Sequence, residues 1–162
     1  MTPHAPHKSE GTKLYTDVQR ARRDASIWTV VQGVLAPAQF LVFLVSLGLV
    51  LRFLLTGHGY ELATLSILIK TGFLFLIMVT GAIWEKVVFG QYLFAPSFFW
   101  EDVFSFAVIT LHAGYVWALF SGALSPAGLM VLALTAYAAY VINAGQFLLK
   151  LRAARKQAGG VA

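Results

Sequence analysis

From Val103 to Leu149 the chain runs for 47 residues without one Asp, Glu, Lys or Arg. An α-helix needs about 20 apolar residues to cross the hydrocarbon of a bilayer, so this stretch is long enough for two crossings. Ser121-Gly122-Ala123-Leu124-Ser125-Pro126 supplies the break at which a helical hairpin would turn. Ala25 to Leu51 is a second uncharged run, 27 residues long. The apolar region of a cleaved signal peptide ends after about 7 to 15 residues, so this run reads as a span instead. Leu62 to Trp84 is a further span, interrupted only by Lys70. Composition agrees: 59% of the residues are hydrophobic and 12% are charged, whereas soluble domains carry about 25% charge. The expected fold is an all-α membrane protein, a bundle of four transmembrane helices over about 25–52, 62–84, 99–120 and 127–149.

The charges that remain describe topology. The net charge of +5 collects at the chain ends rather than along a surface, which argues against nucleic acid as a partner. The two ends and the Lys86 loop hold ten of the twelve Lys and Arg residues, and the opposite side holds Arg52 alone. By the positive-inside rule both termini and the loop from Glu85 to Asp102 are expected in the cytoplasm. Trp28, Trp84 and Trp100 would then anchor the spans at that interface. Residues 1–24 read as a cytoplasmic arm. Within it Thr16-Asp17-Val18-Gln19 fits a capping box, which predicts a short amphipathic helix at the membrane surface. Residues 151–162 read as a basic cytoplasmic tail. The absence of cysteine excludes disulfides, thiolate metal sites and thiol nucleophiles.

Polar residues recurring three and four apart inside a span mark the face turned to protein or to a cavity. Span one carries Trp28, Gln32, Gln39 and Ser46; span three carries Glu101, Ser105, Val108, His112 and Tyr115; span four carries Thr135, Ala139, Asn143, Gln146 and Lys150. Interhelical hydrogen bonding accounts for Gln32, Gln39, Asn143 and Gln146 whatever the function. Lys70 lies eight residues inside span two, about 12 Å at helical rise, and is expected to snorkel outward. His112 sits near the middle of span three, as a core hydrogen-bonding group or a ligand, and has no second histidine inside the membrane for bis-imidazole haem ligation.

The acids separate by position. Glu101 and Asp102 follow Pro96 and Ser97, the expected cap, and fall in the first turn of span three, where the helix dipole favours a carboxylate. Glu85 ends span two, where the dipole disfavours a negative charge. All three flank one loop of aromatic and apolar residues, Val87 to Trp100. Such a segment suits the interface or a pocket for a large flat apolar ligand with acids at its rim. Walker loops, dinucleotide fingerprints, Gly-x-Ser-x-Gly elbows and His-Glu-x-x-His helices are absent from the sequence.

Trp28 to Pro37 followed by Gln39 to Phe43, Val79 to Gln91, and Phe98-Phe99-Trp100-Glu101-Asp102-Val103-Phe104 make the chain similar to a known family. From about Leu14 to Arg152 it resembles the bacterial vinyl-(bacterio)chlorophyllide hydratases of bacteriochlorophyll biosynthesis. The resemblance implies a multi-pass lyase of a bacterial inner, photosynthetic membrane. It would need no cofactor and would add water to the C3 vinyl group of a chlorophyllide-type tetrapyrrole, giving a 1-hydroxyethyl group. Neighbouring pathway enzymes are the expected protein partners, and the oligomeric state stays open.

That chemistry needs a proton on the terminal vinyl carbon and water at the inner one. A carboxylic acid desolvated among aromatic rings can stay protonated near neutral pH, while a wetter carboxylate can activate water. Glu85 is therefore expected to donate the proton and Glu101 or Asp102 to handle the water. Candidate substrate-binding residues are His112, also a possible ligand of the substrate magnesium, with Lys86, Trp84, Trp100, Gln32 and Asn143. Two other classes use the same residues. One is a pigment- or quinone-binding membrane subunit without catalysis, and the other an ion-coupled transporter built on Lys70 and Glu85.

Overall fold

The computed structural model describes residues 14–159; the first thirteen residues of the expected arm and the last three of the expected tail lie outside them. The described residues form five helices: α1 (Asp17–Ala25), α2 (Ile27–Thr56), α3 (Tyr60–Phe89), α4 (Phe99–Ser121) and α5 (Pro126–Gly159). Helices α2 to α5 contain the four stretches long and apolar enough to cross a membrane. Three of the expected spans fall within these helices, whereas the first was expected from residue 25 and α2 begins only at Ile27, after the break at Ser26; α3 runs five residues past Trp84 and α5 continues through most of the segment read as a tail.

Local chemistry sets the boundaries. The capping box of α1 is formed: Gln19 N–H donates to Thr16 Oγ1 at 3.2 Å and Thr16 N–H to Gln19 Oε1 at 2.9 Å. Ser26 ends α1 and caps α2 by accepting from Trp28 N–H at 3.2 Å. Gly122, at φ 66°, ends α4 in the left-handed conformation, which lacks a steric penalty only for glycine. Ser125 Oγ then accepts from Gly128 N–H at 3.2 Å and Pro126 opens α5, where its missing N–H costs nothing. Ser97, by contrast, does not cap α4. Phe98 takes the cap position, and the Ser97 hydroxyl donates to Leu14 O at 2.9 Å.

Two cores divide the bundle. The larger joins all four long helices around Phe43, Val50, Ile67, Tyr115, Met130 and Tyr137. Threaded through it is a polar chain: Ser46 hydrogen-bonds Ser66 at 2.7 Å and also Tyr137. Lys70 lies in the same core, beside this chain, rather than at the bilayer surface. It is fully buried, with Nζ 3.3 Å from His112 Nε2 and 4.0 Å above the Tyr140 ring. The expected snorkelling fails because Lys70 lies on the stripe Ala63, Ile67, Lys70, Leu74, the buried face of α3. The smaller core gathers Tyr15, Val88 and Phe98, with Trp84, Phe89 and Phe147 packed against them. It lies where α3 ends, α4 begins and α5 passes its last turns.

Candidate active site

The acids converge at this second core. Glu85 and Asp102 are both buried, and their carboxyl groups lie within hydrogen-bonding reach of each other. Ten residues beyond Glu85, Ala95 N–H donates to Glu85 Oε2 at 3.2 Å; the preceding Phe94 N–H donates to Asp102 Oδ2 at 2.7 Å. Successive backbone N–H groups of the loop thus grip two carboxyls from different helices. Two carboxyl groups can share a hydrogen bond only through a proton on one of them, so a pair this close can hold an acid beside its conjugate base.

Reaching both carboxyls bends the loop. Gly90 ends α3 at φ 87°, with its N–H on Lys86 O at 3.0 Å. Phe94 is the one non-glycine residue at positive φ (59°) among the described residues. For a bulky side chain that conformation is strained and persists only where its surroundings fix it. Asp102 supplies part of that fixing, and ring packing the rest. The Phe94 ring stacks on Phe106 with centroids 5.5 Å apart and lies 5.7 Å from Phe99, which meets Trp100 edge-on at 5.4 Å.

Below the pair, α5 closes the site. Lys150 Nζ donates to Glu101 Oε2 at 2.6 Å. Asn143 Nδ2 donates to the Glu101 carbonyl at 2.9 Å and its Oδ1 accepts from Ser105 Oγ at 3.3 Å. From the other side the Tyr15 ring, 4% exposed, stacks on Phe89 at 5.8 Å and meets Phe98 at 6.3 Å. Arg23 lies over the same ring at 4.8 Å. Burial pushes the Tyr15 phenol above its ordinary pKa, with the Arg23 charge opposing.

The residues singled out in the sequence therefore fall into four places. Glu85, Glu101, Asp102 and Asn143 come together. Trp84 packs on Phe98 in the second core, with centroids 5.6 Å apart, and also ties α3 to α2, its Nε1 donating to Thr29 Oγ1 at 2.9 Å; Gln32 makes a second such tie, its Nε2 donating to Thr80 Oγ1 at 2.7 Å. Trp100 and Lys86 are exposed beside the loop, Lys86 donating to Gly90 O at 2.8 Å. His112 stands apart, about 16 Å along α4 from Glu101. Its Nδ1 faces Val108 O at 2.8 Å and its Nε2 faces Lys70, so neither nitrogen is turned to the loop. Sequence reasoning passed over Tyr15 and the pairing of Lys150. Each carried a signal: Tyr15 is the apolar residue just before a capping box, and Lys150 continues the Asn143, Gln146 face of α5.

Fold and site define a helical protein of membrane type with a buried carboxyl pair under an aromatic loop at one end of its bundle. A family model described as 2-vinyl bacteriochlorophyllide hydratase matches residues 15–153. The 2-vinyl bacteriochlorophyllide hydratase of Cereibacter sphaeroides is 70% identical over 155 residues, covering 95% of this chain and 93% of the relative. That of Rhodobacter capsulatus is 68% identical over 157 residues, covering 96% and 91%. The chain belongs to the 2-vinyl bacteriochlorophyllide hydratase family. No solved structure matches it.

Proposed function

We propose that the protein hydrates the ring vinyl group of a chlorophyllide-type tetrapyrrole in bacteriochlorophyll biosynthesis, with Glu85 and Asp102 as the acid–base pair. The observation that carries the mechanism is the meeting of these two carboxyls beneath the loop, in a chain 70% identical over 155 residues to a named hydratase. Glu85 holds the proton, because it lies towards the C-terminal end of α3, four residues before its last residue Phe89, where a negative charge is disfavoured. Asp102 is the carboxylate, in the first turn of α4 and with the shorter N–H contact.

In the reaction Glu85 gives its proton to the terminal CH2, which becomes CH3. The positive charge spreads from the inner carbon into the conjugated ring. Water attacks that carbon and passes a proton to Asp102, leaving a 1-hydroxyethyl group. Transfer between the touching carboxyls returns the proton to Glu85. The net change is one water added with no change in electron count. Glu101, bound to Lys150, is not among the reacting groups.

The macrocycle lies against the exposed rings of Phe94, Phe99, Trp100 and Phe106. Its vinyl edge is directed at the pair, and Lys86 attracts its acidic side chain. The site end of the bundle faces the cytoplasm from the bacterial inner membrane. This places both termini and the surface-lying α1 on that side, where the Lys and Arg residues collect.

The test is expression in membranes lacking the pathway, with a 3-vinyl chlorophyllide supplied in oxygen-18 water and the pigment analysed by mass spectrometry. A labelled adduct one water heavier, absent from control membranes, is expected. Pigment that binds and returns unchanged would refute the catalytic reading in favour of a binding subunit.

A further inference from the structure

Three carboxyls meet at the site end, and a single cation is ion-paired to them among the described residues. Lys150 Nζ lies 2.6 Å from Glu101 Oε2, with side-chain exposures of 25% and 9%. Its ammonium also lies 5.1 Å above the Phe98 ring, within the second core. The other nearby cations are engaged elsewhere: Lys86 with Gly90 O and the Tyr92 ring, Arg23 with Asp24 and the Tyr15 ring. Asn143, on the same face of α5 two turns earlier, grips the Glu101 carbonyl and fixes the register in which Lys150 meets the acid.

Charge counting shows what this cation does. With all three acids ionised the cluster would hold three negative charges in a buried patch. One shared proton on the Glu85–Asp102 pair leaves two, and Lys150 cancels that of Glu101. Without Lys150 an uncompensated charge would sit on Glu101, the residue next to Asp102. Buried like charges are relieved by taking up protons, so a second proton would spread over the three carboxyls. Whenever it lands on the pair, both members become acids and none can accept a proton from water.

We propose that Lys150 is a positioning residue for the hydration: by neutralising Glu101 it keeps the Glu85–Asp102 pair at one proton, leaving one acid and one base. This rests on the acid–base role proposed above for that pair. Lys150 touches no reacting atom and acts through Glu101.

The experiment compares Lys150→Met, Lys150→Arg, the double variant Glu101→Gln/Lys150→Met and the control Glu85→Gln. The readouts are kcat and KM for a 3-vinyl chlorophyllide and the infrared band of protonated carboxyls. Lys150→Met is expected to lower kcat about tenfold or more with KM within about twofold, and to enlarge the carboxylic-acid band. Lys150→Arg keeps the charge and stays within about threefold of wild type. The double variant removes both charges and recovers to about the same level. A helix-packing role alone would leave the infrared band unchanged and would not be rescued by the second substitution.

Wild-type kcat and band in Lys150→Met overturn the proposal, as does a folded double variant as inactive as the single one. Should Lys150→Met fail to fold, the double variant decides alone, because it carries no unpaired charge. Wild-type turnover in Glu85→Gln removes the acid–base pair and this inference together. Loss there with full activity in Lys150→Met overturns the role of Lys150 only.

Discussion

Replacing Glu85 by Gln removes one transferable proton and little else. The amide keeps an oxygen to accept from Ala95 N–H, now at 3.2 Å from the carboxyl. Its NH2 can donate to Asp102 where the acid did, so the loop keeps both of its anchors. The fold and the aromatic face are therefore expected to survive, and pigment affinity with them. The chemical step loses its general acid, a group that contributes about 10²- to 10⁴-fold, or about 2.7 to 5.5 kcal/mol of barrier. The assay is single-turnover hydration of a 3-vinyl chlorophyllide in oxygen-18 water, with pigment binding followed by its absorption spectrum. The expected result is a fall in rate of at least about a hundredfold at unchanged affinity. A rate within about threefold of wild type would refute the role. So would a loss carried entirely by weaker binding, which would make Glu85 a fixture of the loop.

Two further substitutions probe the surroundings of the pair. Tyr15→Ala removes a buried ring that packs on Phe89 and Phe98, and aromatic pairs contribute about 0.5 to 1.5 kcal/mol each. It is expected to speed amide exchange at Phe94 and Ala95 and to lower kcat, whereas Tyr15→Phe keeps both near wild type. Unchanged exchange in the Ala variant would mean that the N-terminal segment does not hold the loop. Lys70→Met alters the other polar centre, about 22 Å along α3 from Glu85. Hydration should proceed within about twofold of wild type; a loss of tenfold or more would tie the Lys70–His112 contact to the chemistry.

The sequence carries some of these features openly and hides others for a physical reason. Helix number is legible because charge is costly over the length of a crossing, and the 47-residue run from Val103 is long enough for two. The polar faces are legible too: Glu101 and Ser105 on α4 do meet Asn143 and Lys150 on α5. The apolar faces are not. In a soluble helix the buried side announces itself by contrast with a polar outside, but here lipid and core both select apolar residues. Ala63, Ile67 and Leu74 therefore look no different from exposed Leu62, Leu65 and Ile69, and nothing in hydropathy says that Lys70 shares the buried stripe. The loop is hidden for another reason. Phe94 takes a left-handed conformation with no Gly or Asn to signal it, held by an acid eight residues on.

On the proposed mechanism, that concealed loop explains why the chemistry would sit at the end of the bundle rather than in its middle. Hydration needs water as a reactant, and the centre of the protein is filled: Ile67, Val108, Tyr115, Met130 and Tyr137 are almost completely buried. A flat apolar pigment, in contrast, is at home in the bilayer. The helix ends are where the two supplies overlap. There the exposed rings of Phe99, Trp100 and Phe106 offer a surface to a ligand arriving from lipid. The last turns of α3 and the first turn of α4 also bring opposite dipole poles together, which on the proposed mechanism would make the neighbouring carboxyls differ in their hold on a proton. Four helices meeting only through apolar side chains could not make that distinction; the strained loop between α3 and α4 lets backbone N–H groups reach both acids at once.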